Sequence, residues 1–284
     1  MNKNFELKKV LFGMVVLVLA VFIFSNWVLC GNLYAAESQD AGKEISKLEK
    51  IKKAGKLVVG TSADYPPYEF HLLDQKESEL VGIDIDIARA IASELGVKLE
   101  VRDLIFSRLF DTLNAGKIDI AIAGLHPTES RKEIAAFSDT YYQAIQSVVI
   151  LNENSEKIKT VEDLRGKHVG VQKESIQENL ARTQIPGAEF DVRETIEELV
   201  IILDKGLIDA IILEEPVAQS YVNQNKKFLA IQCLGFADKL GSAIAVKKGD
   251  TLLLNEINRI LANLKKDEKI KEFVENAKVL TNKK

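Results

Sequence analysis

The chain has little cysteine, little histidine and no concentration of one charge, and each scarcity removes a class of function. Its 284 residues include two cysteines, Cys30 and Cys233. Cys30 falls in an N-terminal segment set apart from the folded body, so Cys233 has no intramolecular partner there and a disulfide framework is excluded. The three histidines, His71, His126 and His168, sit in separate segments with no metal-ligand spacing. No phosphate-binding glycine loop, Ser-His-Asp order or Cys-x-x-Cys occurs. We therefore expect no catalytic residue, no metal and no cofactor. Net charge is −4. Setting aside residues 1–36, with Lys3, Lys8 and Lys9 against Glu6, leaves 35 basic and 41 acidic residues, or −6. A mildly acidic body without a basic run argues against nucleic acid as a partner.

One long apolar run is present. Lys8 and Lys9 precede residues 10–24, and the small residues Ala35 and Ala36 follow. This reads as a signal or anchor segment over 1–36. Three fates stay open: cleavage near Ala36, lipidation at Cys30, or retention as a membrane anchor if the run extends to Leu29. All three place the body outside the cytoplasm, in a periplasm or on the outer face of the membrane.

The body uses one phrase twice. Residues 113–124 read LNAGKIDIAIAG and residues 203–214 read LDKGLIDAIILE. Each is the end of a helix, a glycine suited to a left-handed cap, then a short apolar strand. GKLVVG at 55–60 and GKHVGV at 166–171 precede them in the same order. The pattern predicts two α/β lobes of similar build, large enough for a core each. Ligands of α/β sheets bind beyond the carboxyl ends of strands. The loops after Gly60, Ala123, Val171 and Leu213 are thus the places to look.

Periodicity predicts helices over 84–95, 107–115, 175–182, 195–204, 215–223, 251–265 and 268–276, with strands at 57–60, 98–102, 118–123, 147–151, 168–171, 210–213 and 242–246. The loop TSADYPPYEF after the first strand is stiffened by Pro66 and Pro67. The last two helices have no sheet of their own, so they are expected to return to the first lobe. The lobes would then be 45–144 plus 241–284 and 145–240, with hinge segments near 144–146 and 239–242.

In AGLHPTESR, Gly124 opens the loop, Thr128 suits a helix cap, and Arg131 falls in the first helical turn, where free N–H groups already favour an anion. A guanidinium there suits a carboxylate through two parallel hydrogen bonds.

Residues 57–284 resemble the bacterial extracellular solute-binding proteins of family 3, which supply polar amino acids to ABC importers. The matching segments are GTSADYPPYEF, ELVGIDIDIARAIASELG, LNAGKIDIAIAGLHPTESRKEIAAFSDTYY, DLRGKHVGVQKESIQE and GLIDAIILEEPVA. The resemblance implies a periplasmic-binding-protein type II-like α/β fold: two lobes joined by a two-strand hinge, with the ligand cleft between them. It implies that Arg131 holds the α-carboxylate, helped by the backbone around Ala123, Gly124 and His126 and at Ser175 and Ile176. Glu214 would take the α-ammonium, Tyr65 would stack on the ligand side chain, and Phe106 would cover its other side. Ser62 and Gln172 would meet the side-chain end. The implied function is a receptor that closes on glutamine, arginine or a similar polar amino acid and presents it to the membrane permease subunits of an importer, as a monomer. The alternative is a periplasmic dehydratase of prephenate or arogenate on the same scaffold, with Glu174 or Glu214 supplying a proton.

Overall fold

The computed structural model describes residues 45–73, 78–232 and 241–281. The expected signal or anchor segment over 1–36, both cysteines and part of the second expected hinge segment lie outside the described residues. Among the described residues no helix is long and apolar enough to cross a membrane.

Two five-stranded sheets are built by the same rule. In the first, β1 (Lys56–Thr61) lies parallel to β5 (Lys98–Asp103) on one side and to β6 (Ile120–Ala121) on the other. The antiparallel strands β13 (Ala245–Lys247) and β7 (Ala135–Phe137) extend it, giving the order β5-β1-β6-β13-β7. In the second, β9 (His168–Gln172) lies parallel to β10 (Glu189–Arg193) and β11 (Ala210–Glu214). The antiparallel β8 (Gln146–Leu151) and β12 (Phe228–Gln232) complete the order β10-β9-β11-β8-β12. Each sheet thus has three parallel strands with β1 or β9 in the middle.

Both faces of each sheet are covered, and the strands alternate accordingly. Leu57 and Val59 face one side of the first sheet against α2 (Ile83–Leu95), α8 (Thr251–Lys266) and α9 (Lys269–Thr281), while Val58 faces α3 (Leu109–Asn114). In the second sheet Val148, Ile150 and Ile212 face α5 (Ile176–Gln184), and Val149, Ile211 and Leu213 face α6 (Ile196–Asp204) and α7 (Glu215–Gln224). The C-terminal helices return to the first lobe as expected. They pack on α2 and on α1 (Lys47–Ala54), which Gly55 ends at φ 67°.

The repeated phrase has a structural cause. Gly116 and Gly206 take left-handed φ values of 70° and 67°. The aspartate three residues later then caps the central strand. Asp119 Oδ2 accepts from Val58 N–H at 2.8 Å, and Asp209 Oδ2 accepts from His168 N–H at 2.9 Å. Ile118 and Ile208 press onto the strand two residues further on, at Gly60 and Gly170, where a Cβ would collide with their Cδ1 atoms. The sequence echo is therefore offset by one residue, with Gly60 matching Gly170 rather than Val171.

Several elements differ from the sequence expectation. The strand expected over 118–123 is formal only at Ile120–Ala121, because Ile118 and Asp119 turn to make those contacts. The stiff loop after β1 is a small antiparallel sheet of β2 (Asp64–Tyr65), β3 (Glu69–Leu73) and β4 (Ser78–Val81), with a cis Pro66-Pro67 bond in its turn. β7, β10 and β12 were not expected, since their short, mixed patterns lack a clean alternation.

Gly170→Ala would place its methyl 2.7 Å from Ile208 Cδ1 and 2.8 Å from Leu199 Cδ2. It should destabilise the chain by roughly 1–3 kcal/mol in urea unfolding. Adding Ile208→Val should recover part of that loss, although Ile→Val alone costs about 0.5–1.5 kcal/mol. Simple addition of the two costs would show that the methyl does not meet Ile208.

Candidate functional site

The loops beyond β1 and β6 form the first wall. Thr128 caps α4 (Glu129–Ile134), its Oγ1 accepting from Arg131 N–H at 3.3 Å. This aims the Arg131 side chain inward. Arg131 is 8% exposed and lies over the rings of Phe106 and Phe110, each 5.5 Å from the guanidinium carbon. Its hydrogen bonds go to two carbonyl oxygens, His126 at 3.1 Å and Glu174 at 2.9 Å. Burial pulls its pKa down to about 10 against the opposing charge of Glu174, so it remains a cation at neutral pH.

Gly124 is left-handed at φ 52°, and a Cβ there would sit 3.2 Å from the Tyr65 ring. Its N–H is already taken by Asp84 Oδ2 at 2.8 Å. The close approach that this glycine permits is that of the chain's own tyrosine. Tyr65 stacks in turn on Tyr68, with ring centroids 5.5 Å apart.

The second wall comes from the loops after β9 and β11. Ser175 caps α5, accepting from Glu178 N–H at 3.1 Å and donating to the Gln172 carbonyl at 2.7 Å. Glu174 takes φ 61° ahead of it, a left-handed setting that costs a non-glycine residue about 1–2 kcal/mol. That turn points its carbonyl at Arg131 across the cleft. Its N–H goes to Glu178 Oε2 at 2.8 Å.

Glu214, at the end of β11, is 1% exposed. One carboxylate oxygen accepts from the Tyr68 hydroxyl, and the other lies 3.2 Å from His126 Nε2. His126 Nδ1 faces the Gly124 carbonyl at 3.1 Å. Both ring nitrogens therefore face acceptor oxygens.

Three buried acids in the first lobe complete the site. Asp64 Oδ2 accepts the free N–H of Ile196 at 2.6 Å, capping α6 from the opposite lobe, while the Asp64 carbonyl accepts from Tyr221 at 2.9 Å. Burial raises Asp64 to about 6 against the opposing pull of that N–H. Asp84 Oδ2 accepts from Gly124 N–H and the Tyr141 hydroxyl, both at 2.8 Å, and burial raises it to about 6. Glu69 is fully buried, and among the described residues no N–H or O–H reaches either of its oxygens or Asp84 Oδ1. The Glu69 and Asp84 carboxyls are within hydrogen-bond reach of each other. Two carboxylates meet in that way when one holds a proton, and burial, then the Asp84 charge, pushes Glu69 well above the usual carboxylate range.

Between the walls is a cavity of about 20 Å³, room for about one water molecule. Of the residues singled out from the sequence, Ser62, Tyr65, Phe106, Ala123, Gly124, His126, Arg131, Gln172, Ser175 and Ile176 line it. Glu214 does not; Tyr68 and His126 hold it instead, and a ligand would have to displace the imidazole to reach it. Asp64, Glu69 and Gln177 also line the cavity and were not anticipated. Asp64 and Glu69 stand inside the quoted TSADYPPYEF motif, where an acid next to a tyrosine on each side was the available signal. A larger groove of about 730 Å³ adjoins the cavity between α4 and α5, sharing Phe106, Arg131, Ser175 and Ile176 with it. It is the open mouth of the cleft.

The sequence profile of the bacterial extracellular solute-binding proteins, family 3, matches residues 57–277. The arginine-binding extracellular protein ArtP of Bacillus subtilis (strain 168) is 33% identical over 244 residues, covering 85% of this chain and 90% of that protein. The amino acid ABC transporter substrate-binding protein AbpA from Streptococcus pneumoniae, solved bound to L-arginine, matches with a TM-score of 0.80 at 32% identity. The match covers 83% of this chain and 100% of that one. The ancestral amino acid-binding protein AncCDT-1, a precursor of cyclohexadienyl dehydratase, matches with a TM-score of 0.75 at 34% identity over 81% and 99% of the two chains. With two α/β lobes of the periplasmic-binding-protein type II-like kind and a profile match over most of its length, the chain belongs to the bacterial extracellular solute-binding proteins of family 3.

Proposed function

We propose that this protein is an extracytoplasmic receptor that closes its two lobes over a polar amino acid and delivers it to an ABC-type importer. The observation that carries this reading is Arg131: a buried cation whose side-chain hydrogen bonds among the described residues go to carbonyl oxygens, at the inner end of an open groove. A ligand carboxylate would replace those carbonyls with two charge-assisted bonds. The ligand ammonium would take Glu214 in place of the His126 ring, and Tyr65 and Phe106 would flank the stem. The lobes are 45–144 plus 241–284 and 145–240, and residues 1–36 direct export or anchor the protein outside the membrane. Relatives that bind arginine put arginine first among the side chains to test.

The receptor reading stands above the dehydratase alternative on the two acids that alternative names. The Glu174 side chain is exposed and offers the site its carbonyl rather than its carboxyl. Glu214 already holds Tyr68 and His126. Incubation with prephenate should yield no product.

Arg131→Lys keeps the charge but loses the planar fork, and should weaken amino-acid binding by roughly 1.5–3 kcal/mol in titration calorimetry. Unchanged affinity would remove Arg131 as the carboxylate clamp, and the central reason for this reading with it.

Glu214→Gln should cost a similar amount for the amino acid and much less for its analogue lacking the amino group, because that analogue never makes the contact removed. Equal losses for both ligands would assign Glu214 to holding Tyr68 and His126 alone.

A further inference from the structure

We propose that Glu69 selects a ligand with a cationic side chain, and that this cation replaces a proton shared between Glu69 and Asp84, so that binding releases a proton. The inference rests on the amino-acid-receptor reading above and adds to it the ligand's charge and its linkage to pH.

Buried polar oxygens in folded proteins find a donor, and each exception needs a cause. Glu69 Oε1, Glu69 Oε2 and Asp84 Oδ1 are three such exceptions in one place. Asp84 Oδ2 is well served by Gly124 N–H and the Tyr141 hydroxyl. Asp84 is therefore the better placed of the two to keep its charge. A proton on Glu69, donated to Asp84 Oδ1, gives the pair one hydrogen bond and one negative charge instead of two. It still leaves a Glu69 oxygen without a donor, and Glu69 lines the cavity.

The surroundings decide what kind of donor belongs there. The charges that bear on Glu69 are those of Asp84, Asp64 and Glu214, all acidic and all buried. Tyr65 and Tyr141 are the phenols coupled to it. Of the basic groups lining the cavity, Arg131 is turned to the carbonyls of His126 and Glu174, and His126 faces Glu214. A cluster of carboxyls with its nearby cations committed elsewhere favours a positive ligand group over a neutral amide. An amide would leave the Glu69 charge uncompensated if the proton departed, so Glu69 would keep its proton. A guanidinium or ammonium compensates that charge directly, and the proton leaves. The step balances as the neutral carboxyl plus the ligand cation giving a carboxylate–cation pair and a proton taken up by buffer.

Arginine and citrulline differ by a guanidinium against a neutral ureido group on the same stem, so they isolate the side-chain charge. Calorimetric titration of the full chain with each, at pH 6.0 in buffers of low and high ionisation enthalpy, counts the protons exchanged. The expected result is about one proton released with arginine, none with citrulline, and an affinity at least tenfold in favour of arginine. The arginine Kd should rise up to tenfold for each pH unit lowered while the pair is protonated. In Glu69→Gln the release should disappear and the two affinities should come within a few-fold of each other.

The variant should fold. Because the folded-state pKa of Glu69 is raised, its contribution to stability is complete below the usual glutamate range and is lost as pH rises through the folded value. A neutral glutamine that donates to Asp84 escapes that loss, so its melting temperature should exceed the wild type's at pH 8 and approach it at pH 4.5.

No proton release with arginine, or the same release in Glu69→Gln, overturns the inference. Equal binding of arginine and citrulline without proton exchange overturns it while leaving the receptor intact. Failure of arginine, citrulline and every other amino acid tested to bind removes the receptor reading itself. If Glu69→Gln does not fold, the wild-type comparison of arginine with citrulline still decides.

Discussion

The fold is organised around a cost: six ionisable side chains are buried where the loops of two sheets meet. Asp64, Glu69, Asp84, His126, Arg131 and Glu214 are each less than a tenth exposed. A charge moved out of water costs several kcal/mol after relaxation, and local partners must offset it. Five of them are each met differently, and His126 is the partner of one. Glu214 has a tyrosine hydroxyl and an imidazole, Asp84 a backbone N–H and a tyrosine, and Asp64 the N-terminus of a helix in the other lobe. Arg131 has two carbonyl oxygens, and Glu69 has a neighbouring acid. The two groups with the weakest compensation, Arg131 and Glu69, both line the cavity. A bound molecule carrying an anion and a cation would supply what each lacks.

The apolar body exists to hold those loops in register. Each sheet places its central parallel strand so that the chain leaves it toward the cleft, and the repeated glycine-isoleucine-aspartate sequence fixes the strand beside it. Asp119 and Asp209 accept from the Val58 N–H of β1 and the His168 N–H of β9 in the same way, and Ile118 and Ile208 fill the space that Gly60 and Gly170 leave. The site loops follow directly from strands locked by these contacts. Sites supported on rigid elements hold their geometry better than sites on free loops.

This arrangement explains which parts were legible in the sequence. Both copies of the repeat rest on left-handed glycines, which only a few residue types tolerate, so their signature is sharp. The cap Thr128 and the inward Arg131 were legible for a similar reason: a capping residue with a cation in the first turn is a local pattern. Asp64 and Glu69 were not, because their role depends on what other segments bring to them. Asp64 accepts the N–H of Ile196, 132 residues away, and Glu69 meets Asp84 from α2. An acid in a hairpin reads as a solvated turn residue until its partners are known. Glu214 was legible as an inward acid but not as one already held, since Tyr68 and His126 reach it from distant loops. The short edge strands β7 and β12 were missed because their pairing to β13 and β8 is a tertiary fact.

Contacts between the lobes come from the residues that would meet a ligand, and this couples affinity to closure. Arg131 reaches the Glu174 carbonyl, His126 and Tyr68 reach Glu214, and Asp64 reaches Ile196, each across the cleft. A ligand that binds Arg131 and Glu214 displaces some of these bonds as it forms its own, so its affinity reflects the difference between the two sets. Only that difference shifts the balance between open and closed lobes. The carbonyls on Arg131 are weak partners for a cation, so a carboxylate gains much by replacing them. Glu214 already has the Tyr68 hydroxyl and the His126 ring beside it, so an ammonium gains less there. Discrimination among amino acids must then come from the remaining wall, where Glu69 and Asp64 stand with Gln172 and Ser62. On the reading proposed here, the shared carboxylate and ammonium would secure closure, and the acids of the first hairpin would decide for which side chain it happens.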